Sequence, residues 1–232
     1  MKAMILAAGL GKRMRPLTAR IPKPLIEVGG KYLIEYHLEN IAKTSIKDVV
    51  INTHWLAEQI PAALGDGSRW DLNIKYSHEP ELLETAGGIV NAMPLLADFG
   101  ADRFLLLNGD VYTELDLSGW INSMPEATEG ELAHLALVKN PLHNPEGDFS
   151  LSDIGKLSTI DPESGRATYT YSGIGLYRTE FFDGVPNHSC QLGPLLKQYA
   201  EQGKLSASIM QEYWQDVGTP DRLEEINQRL NA

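Results

Sequence analysis

The sequence predicts an α/β fold, with a Rossmann-like, mostly parallel central sheet and helices packed on both faces. Three observations lead there. Short runs around Met4-Ile5-Leu6, Val49-Val50-Ile51 and Phe104-Leu105-Leu106 are apolar at every position, which marks strands buried on both faces. The segments between them carry apolar residues at helical spacing. Strand and helix then alternate through the first half, the order that right-handed crossovers build into a parallel sheet.

Taken in order, residues 2–8 (KAMILAA) form a first strand, closed by Gly9. After Pro24, residues 25–28 read as a short extended piece, turned at Gly29-Gly30. Residues 32–43 place apolar side chains at 33, 34, 38 and 41, one face of a helix. A second strand spans 47–52, and Leu56, Ile60, Ala63 and Leu64 make another helical stripe that Gly65 ends. Residues 72–76 and 103–107 are the third and fourth strands, separated by a helix over 85–96. In the second half, strands are expected over 132–138, 148–151, 156–160 and 168–177. Gly173 and Gly175 inside the last of these mark a bulge or a close backbone approach. Helices follow over 192–201 and 220–230, the latter with Thr219 as N-cap and Pro220 in its first turn. No linker or repeat interrupts the chain, so residues 1–232 are expected to form one domain.

A chain of 232 residues that is 43% hydrophobic and 22% charged can bury a large core. Its net charge of −11 argues against a nucleic acid polymer as partner, because the phosphate backbone rewards a basic surface. A single nucleotide needs only a local cationic pocket. The lone Cys190 excludes an internal disulfide and a cysteine-rich metal site, and suits a reducing compartment. No apolar run approaches the roughly 20 residues that span a bilayer, and no cleavage site follows the first strand. A cytoplasmic protein without a membrane partner, and a monomer, is the expectation. The histidines show no paired metal spacing; His37 in a helix and His134 in a strand read as packing or surface residues.

The first strand runs into Gly9-Leu10-Gly11-Lys12-Arg13-Met14-Arg15-Pro16, and Pro22-Lys23-Pro24 follows. Glycines let a backbone turn sharply and approach a ligand closely, and N–H groups in such a turn converge on phosphate oxygens. Arg13 adds a planar fork and Lys23 a mobile point charge. Ala7, Ala8, Gly9, Gly11, Lys12, Arg13 and Lys23 are therefore candidates for the phosphates of a nucleoside triphosphate. The alternative is a tight strand-to-helix turn with solvated basic residues, and a solvated Lys12 is equally consistent. Met14 occupies the third-glycine position of a dinucleotide fingerprint, and no Lys-Ser/Thr pair closes a P-loop. Asn108-Gly109-Asp110 ends the fourth strand, and Asp216 lies in Asp216-Val217-Gly218-Thr219-Pro220. Each is locally a turn or a helix entry. Two aspartates that converge from distant segments would also suit Mg²⁺, which is held by one or two carboxylates plus substrate phosphates.

Taken together, the opening strand, G-x-G-x-R-M-x-P, P-K-P, N-G-D and D-V-G resemble the signature of the sugar-1-phosphate nucleotidyltransferases, over nearly the whole chain. The resemblance implies a catalytic Mg²⁺ on Asp110 and Asp216, with Arg13, Lys23 and Asp110 as catalytic residues and Asn108 beside the nucleotide. It divides the domain into a nucleotide-binding half, 1–138, and a sugar-binding half, 139–232. Leu83, Thr85, Ala86 and Gly87 match the family's L-G-T-A-G beside base and ribose, with Glu84 replacing the glycine; the local alternative is a helix start favouring acidic residues. Glu81 offers an acceptor to an imide N–H. Thr170-Tyr171-Ser172-Gly173-Ile174 matches the pattern near the acceptor sugar, which makes Asn140, Asp148, Ser172 and Gly173 candidates there; a turn at Asn140-Pro141 and ordinary strand packing are the alternatives.

The implied reaction joins a sugar 1-phosphate to a nucleoside triphosphate, releasing pyrophosphate. A phosphate nucleophile, with a second pKa near about 6, is largely dianionic at neutral pH and needs no general base. Family details such as Met-Lys-Ala-Met-Ile-Leu-Ala-Ala-Gly, Gly-Asp-Gly-Ser-Arg and Leu-Glu-Thr-Ala-Gly-Gly-Ile favour UTP with N-acetyl-α-muramate 1-phosphate and a place in peptidoglycan recycling. GTP with mannose 1-phosphate, and glucose 1-phosphate with UTP or dTTP, are the alternatives within the family. A non-catalytic nucleotide-sugar sensor, or a metal-independent glycosyltransferase, is the alternative outside it.

Overall fold

The computed structural model describes residues 1–97 and 102–231. In chain order its strands and helices are β1 Lys2–Leu6, β2 Glu27–Val28, β3 Lys31–Tyr32, α1 Leu33–Ala42, β4 Asp48–Thr53, α2 Gln59–Leu64, β5 Asn73–His78, α3 Glu84–Ala97, β6 Arg103–Asn108, β7 Val111–Thr113, α4 Leu117–Ser123, β8 Ala133–Val138, β9 Phe149–Leu151, β10 Leu157–Ser158, β11 Thr168–Arg178, α5 Leu192–Glu201, β12 Leu205–Ile209, β13 Trp214–Asp216 and α6 Pro220–Leu230. Short 3-10 turns cover Lys12–Met14, Leu17–Ala19 and Lys23–Leu25.

β5, β4, β1 and β6 lie side by side and parallel. β11 then pairs antiparallel with β6, and β8 pairs antiparallel with β11. β12 closes that edge, parallel to β8. The small β9–β10 hairpin hangs off the first residues of β11. The expected parallel sheet is thus present through the first four core strands, and it turns antiparallel where the chain enters its second half. The register between β11 and β8 shifts between Tyr171 and Gly175, the irregularity that the two glycines of this strand predicted.

Side chains alternate across a strand, and that alternation divides the core. Ala3, Ile5, Val49, Ile51, Leu105 and Leu107 face one layer, against Ile34, Leu38 and Ile41 of α1, Ile60 and Leu64 of α2, and Leu117 and Trp120 of α4. Met4, Val50, Phe104 and Leu106 face the other, against Ala86, Ile89, Ala92 and Leu96 of α3 and Leu192, Leu196 and Ala200 of α5. Strands apolar at every position are what a sheet covered on both faces requires. A third, smaller cluster joins Met14, Ile26, Val28 and Leu33 to Tyr112, Val217 and Ile226, and so docks α6 beside the segment that follows β1.

Helices 192–201 and 220–230 match the expectation at both ends, because each carries an unambiguous apolar stripe. In α6 the Thr219 side chain accepts from Arg222 N. Five elements were not anticipated: β7, β13, β12, α4 and the two-residue β3 that pairs with β2. β7 and β13 are three residues each and exist only as partners of one another. α4 has seven residues, and the Asp116 side chain caps it by accepting from Ser118 N. Among the described residues no helix is long and apolar enough to cross a membrane.

Leu105 is fully buried in the middle of β6, between β1 and β11. Replacing it with alanine removes apolar surface and leaves a cavity, so Leu105→Ala should cost about 3 kcal/mol. A fall in the urea midpoint without a change in slope checks this.

Candidate active site

The site begins where β1 ends. Leu6 lies in register with Asn52 of β4 on one side and Asn108 of β6 on the other. Its carbonyl accepts a hydrogen bond from Gly109 N at 2.9 Å. The next amide, Ala7 N, donates to Asn52 Oδ1 at 2.7 Å. Beyond Ala7 this support stops: the N–H groups of Ala8, Gly9, Leu10 and Gly11 find no acceptor among the described residues. All four residues line a cavity of about 450 Å³ at the C-terminal rim of the parallel strands, the place where open α/β sheets bind ligands. Backbone donors without partners, on a concave surface, are suited to anions.

Gly11 sits at φ +58, and a Cβ there would lie 2.8 Å from Cγ2 of the buried Thr18. Thr18 Oγ1 donates to Gly11 O at 2.7 Å and secures the turn. Above Gly9 there is open space, with nothing within 4 Å of where a Cβ would stand. Lys12 and Arg13 line the cavity, are exposed, and have no carboxylate within ion-pair distance among the described residues.

Lys23 is different. Its stem is buried, only 9% of the residue being exposed, and Nζ reaches Asp110 Oδ2 at 2.5 Å. Gly109 is what lets Asp110 stand there, since a Cβ on Gly109 would come within 2.6 Å of Leu6 O. Asp216 is brought to the same neighbourhood by backbone pairing. In the β7–β13 ladder it faces Val111, and Val217 N donates to Asp110 O at 2.8 Å. One Asp216 oxygen, Oδ1, is bonded by Arg222 and lies 3.1 Å from His143 Nε2. Asp110 Oδ1 and Asp216 Oδ2 have no hydrogen-bond partner among the described residues. Two hard carboxylate oxygens left available on adjoining segments fit a small divalent cation that completes its shell with phosphate and water.

Below this pair, His37 Nε2 lies 3.1 Å from Asn108 O. Burial holds its imidazole well below the ordinary histidine value, at about 4, so the ring is neutral.

Leu82, Glu84 and Thr85, at the entry to α3, line the same cavity. Glu84 has φ +57, a conformation glycine adopts without strain. The glycine of the L-G-T-A-G pattern therefore has a backbone reason, and this chain keeps the geometry with a larger residue. Gly87 does not line the cavity. Its N–H and that of Ala86 donate to Cys190 O, and a Cβ on Gly87 would lie 2.3 Å from His188 O. Glu81 is exposed and also lies outside the lining.

Of the expected nucleotide residues, Ala7, Ala8, Gly9, Gly11, Lys12, Arg13, Lys23, Thr85 and Asn108 share this one cavity with Asp110, whereas Asp216 is represented on its lining only by Gly218. The expected sugar residues Asn140, Asp148, Ser172 and Gly173 do not line it. Asn140 donates to Pro145 O and Thr168 Oγ1, and Asp148 Oδ2 accepts from Tyr171 N. Ser172 Oγ donates to Ala136 O and accepts from Ile174 N. Gly173, at φ +80, lets β11 pass beside Asn108. Asn52, Leu82 and Gly218 line the cavity without having been anticipated. For Asn52 a signal existed: like Asn108, it is the first polar residue after an apolar strand run.

A parallel sheet with an amide-rich, cationic cavity at its carboxyl rim and two aspartates beside it is the architecture of a nucleotidyl-group transferase. The nucleotidyl transferase family model matches residues 2–232, and the chain belongs to that family, as a nucleotidyltransferase of the sugar-1-phosphate kind. It is 48% identical, over 100% of its length and 99% of the relative's, to the N-acetylmuramate alpha-1-phosphate uridylyltransferase of Neisseria meningitidis. It is 31% identical to the enzyme of that name from Caulobacter vibrioides, over 94% of this chain and 92% of the relative. Among solved structures, HddC from Yersinia pseudotuberculosis complexed with GMP-PN superposes with a TM-score of 0.77 at 21% identity, covering 98% of each chain, and so shares the fold.

Two outcomes follow from this geometry. Gly109→Ala forces a Cβ against a backbone carbonyl that cannot rotate away, so it should destabilise the protein by about 2 kcal/mol, read by urea denaturation. His37 has a folded pKa, about 4, below its ordinary 6.5. Its contribution to stability is therefore complete above pH 6.5 and lost as the pH falls towards 4, amounting to about 3 kcal/mol. Unfolding curves of His37→Gln across this window should show a shallower loss than those of the unaltered protein.

Proposed function

We propose that this chain transfers the uridylyl group of UTP to N-acetyl-α-muramate 1-phosphate, giving UDP-N-acetylmuramate and pyrophosphate, in the cytoplasm and as a step of peptidoglycan recycling. The observation that carries the transfer is the run of four unpartnered backbone amides beside Lys12, Arg13 and Lys23, in one cavity with Asp110. The choice of UTP and muramate rests on likeness to the Neisseria and Caulobacter relatives.

In this reading Ala8 to Gly11 offer N–H groups to the triphosphate oxygens, and Arg13 takes the charge that develops on the leaving pyrophosphate. Lys23 holds Nζ against Asp110 before substrate arrives and is in reach of the phosphates that enter the same cavity. Asp110 and Asp216 would hold Mg²⁺, which when bound neutralises charge at the α-phosphate. The sugar phosphate attacks as a dianion. The chain's task is then to orient two anions and to screen their repulsion rather than to move a proton. His37 serves no acid–base role in this scheme, since it is buried and spent on Asn108 O. Arg222 supplies a counter-charge to Asp216.

A panel of nucleoside triphosphates against several sugar 1-phosphates, read by pyrophosphate release, tests the reading. UTP with N-acetyl-α-muramate 1-phosphate should be the best pair. A preference for GTP with mannose 1-phosphate would discard the substrate choice, and no turnover with any pair would leave a nucleotide-sugar sensor. Lys23→Ala and Asp110→Asn should each lower turnover at least about a hundredfold while remaining folded, and EDTA should abolish activity that Mg²⁺ restores.

A further inference from the structure

We infer that Glu79 is a positioning residue for the nucleotide: its buried carboxylate ties together two stretches of the cavity lining, the end of β1 through Asn52 and residues 82–85 through Leu83. This rests on the proposed function only in taking the ligand to be a nucleoside triphosphate.

Glu79 follows β5 and is fully buried. Oε1 accepts from Asn52 Nδ2 at 2.7 Å, and Oε2 accepts from Leu83 N at 3.1 Å. Its backbone is anchored as well, N donating to Thr53 O at 2.8 Å and O lying 2.9 Å from His54 Nδ1. The polarity of this chain of bonds is forced. Ala7 N–H can only donate, so Asn52 must present Oδ1 to it. The Asn52 amino group then points at position 79, which must accept. Leu83 N–H also can only donate, so position 79 must accept there too. A carboxylate meets both demands; a carboxamide, with one donor end, meets only one.

The two bonds reach different stretches of the lining. Ala7 opens the stretch whose amides, from Ala8 to Gly11, are unpartnered. Leu83 lies between Leu82 and Glu84, which with Thr85 line the same cavity. A triphosphate on the amides with its nucleoside against Leu82–Thr85 must span both, so their spacing sets how well it fits. Gly88 keeps room for this arrangement: a Cβ there would stand 2.5 Å from Glu79 Oε1 and 2.9 Å from Asn52 Nδ2. The second glycine of Thr85-Ala86-Gly87-Gly88, which the functional reading leaves unused, is explained by the network.

Glu79→Gln should raise KM for UTP about tenfold or more, with KM for the sugar 1-phosphate within about twofold of the unaltered protein, because an unpaired buried donor perturbs one wall. The double variant Glu79→Gln, Asn52→Asp reverses the polarity of the middle bond. The introduced carboxylate at 52 accepts from Ala7 N–H and from the introduced amide at 79, whose oxygen still accepts from Leu83 N–H. It should recover KM for UTP to within about threefold of normal. Gly88→Ala, which changes no polar group, should reproduce the single variant's rise in KM and serves if Glu79→Gln does not fold. A normal KM for UTP in Glu79→Gln or Gly88→Ala, a double variant no better than the single, or an equal rise in both KM values would overturn the inference. Calorimetric titration of UTP into the unaltered protein separates the two readings: binding there, with an unaffected Glu79→Gln, removes only this inference, whereas no binding removes the proposed function too.

Discussion

The backbone of β1 is supported from both sides up to Ala7 and by neither side after it. Gly109 N closes the Leu6 carbonyl and Asn52 Oδ1 closes the Ala7 amide. The neighbouring strands end at the same level, because Leu6 is in register with Asn52 and Asn108. The chain then leaves the sheet with a series of N–H groups that no carbonyl among the described residues meets. Ala8 is buried and Leu10 and Gly11 are half-buried, and donors so placed are seldom left without a partner. A cavity that presents them is suited to anions as a consequence of where three strands stop.

Local electrostatics then matter more than the total. The protein carries a net charge of −11, yet Lys12, Arg13 and Lys23 line one cavity. Lys12 and Arg13 are exposed and have no ion-pair partner among the described residues, while Lys23 is held on Asp110. Asp216 is in turn held by Arg222. Asp110 and Asp216 thus each have a cationic neighbour, on two segments joined by the β7–β13 ladder. Burial of such pairs costs desolvation, and the partial exposure of Asp110 limits that cost.

The second half of the chain supports this rim more than it lines it. β11 runs the length of β6, and its Gly173 lets it pass against Asn108. Asn140, Asp148 and Ser172, which the resemblance associates with the acceptor sugar, spend their polar groups on the backbone and side chains of their own loop and sheet. β13 serves the site in a different way: by pairing with β7 it carries Asp216 from the far end of the chain to the segment that follows Asp110.

The parallel core, the order of its strands and helices, and the basic opening stretch were legible in the sequence. They depend on interactions close in the chain: apolar runs too continuous for a half-exposed strand, helical stripes such as those of residues 192–201 and 220–230, and glycines beside the cations that use them. Asn108, Asp110 and the Gly9–Arg13 segment could be named because each ends or follows a strand that its own residues specify. β7 and β13 could not, since three mixed residues have no periodicity and become strands only on meeting. Nor could the roles of Asn52 and Glu79, whose polar groups acquire meaning from partners tens of residues away, or the exclusion of Gly87 from the cavity, which Cys190 and His188 decide. Local pattern determined which elements form and where they end; long-range hydrogen bonding decided which of the polar residues at those ends face a common space.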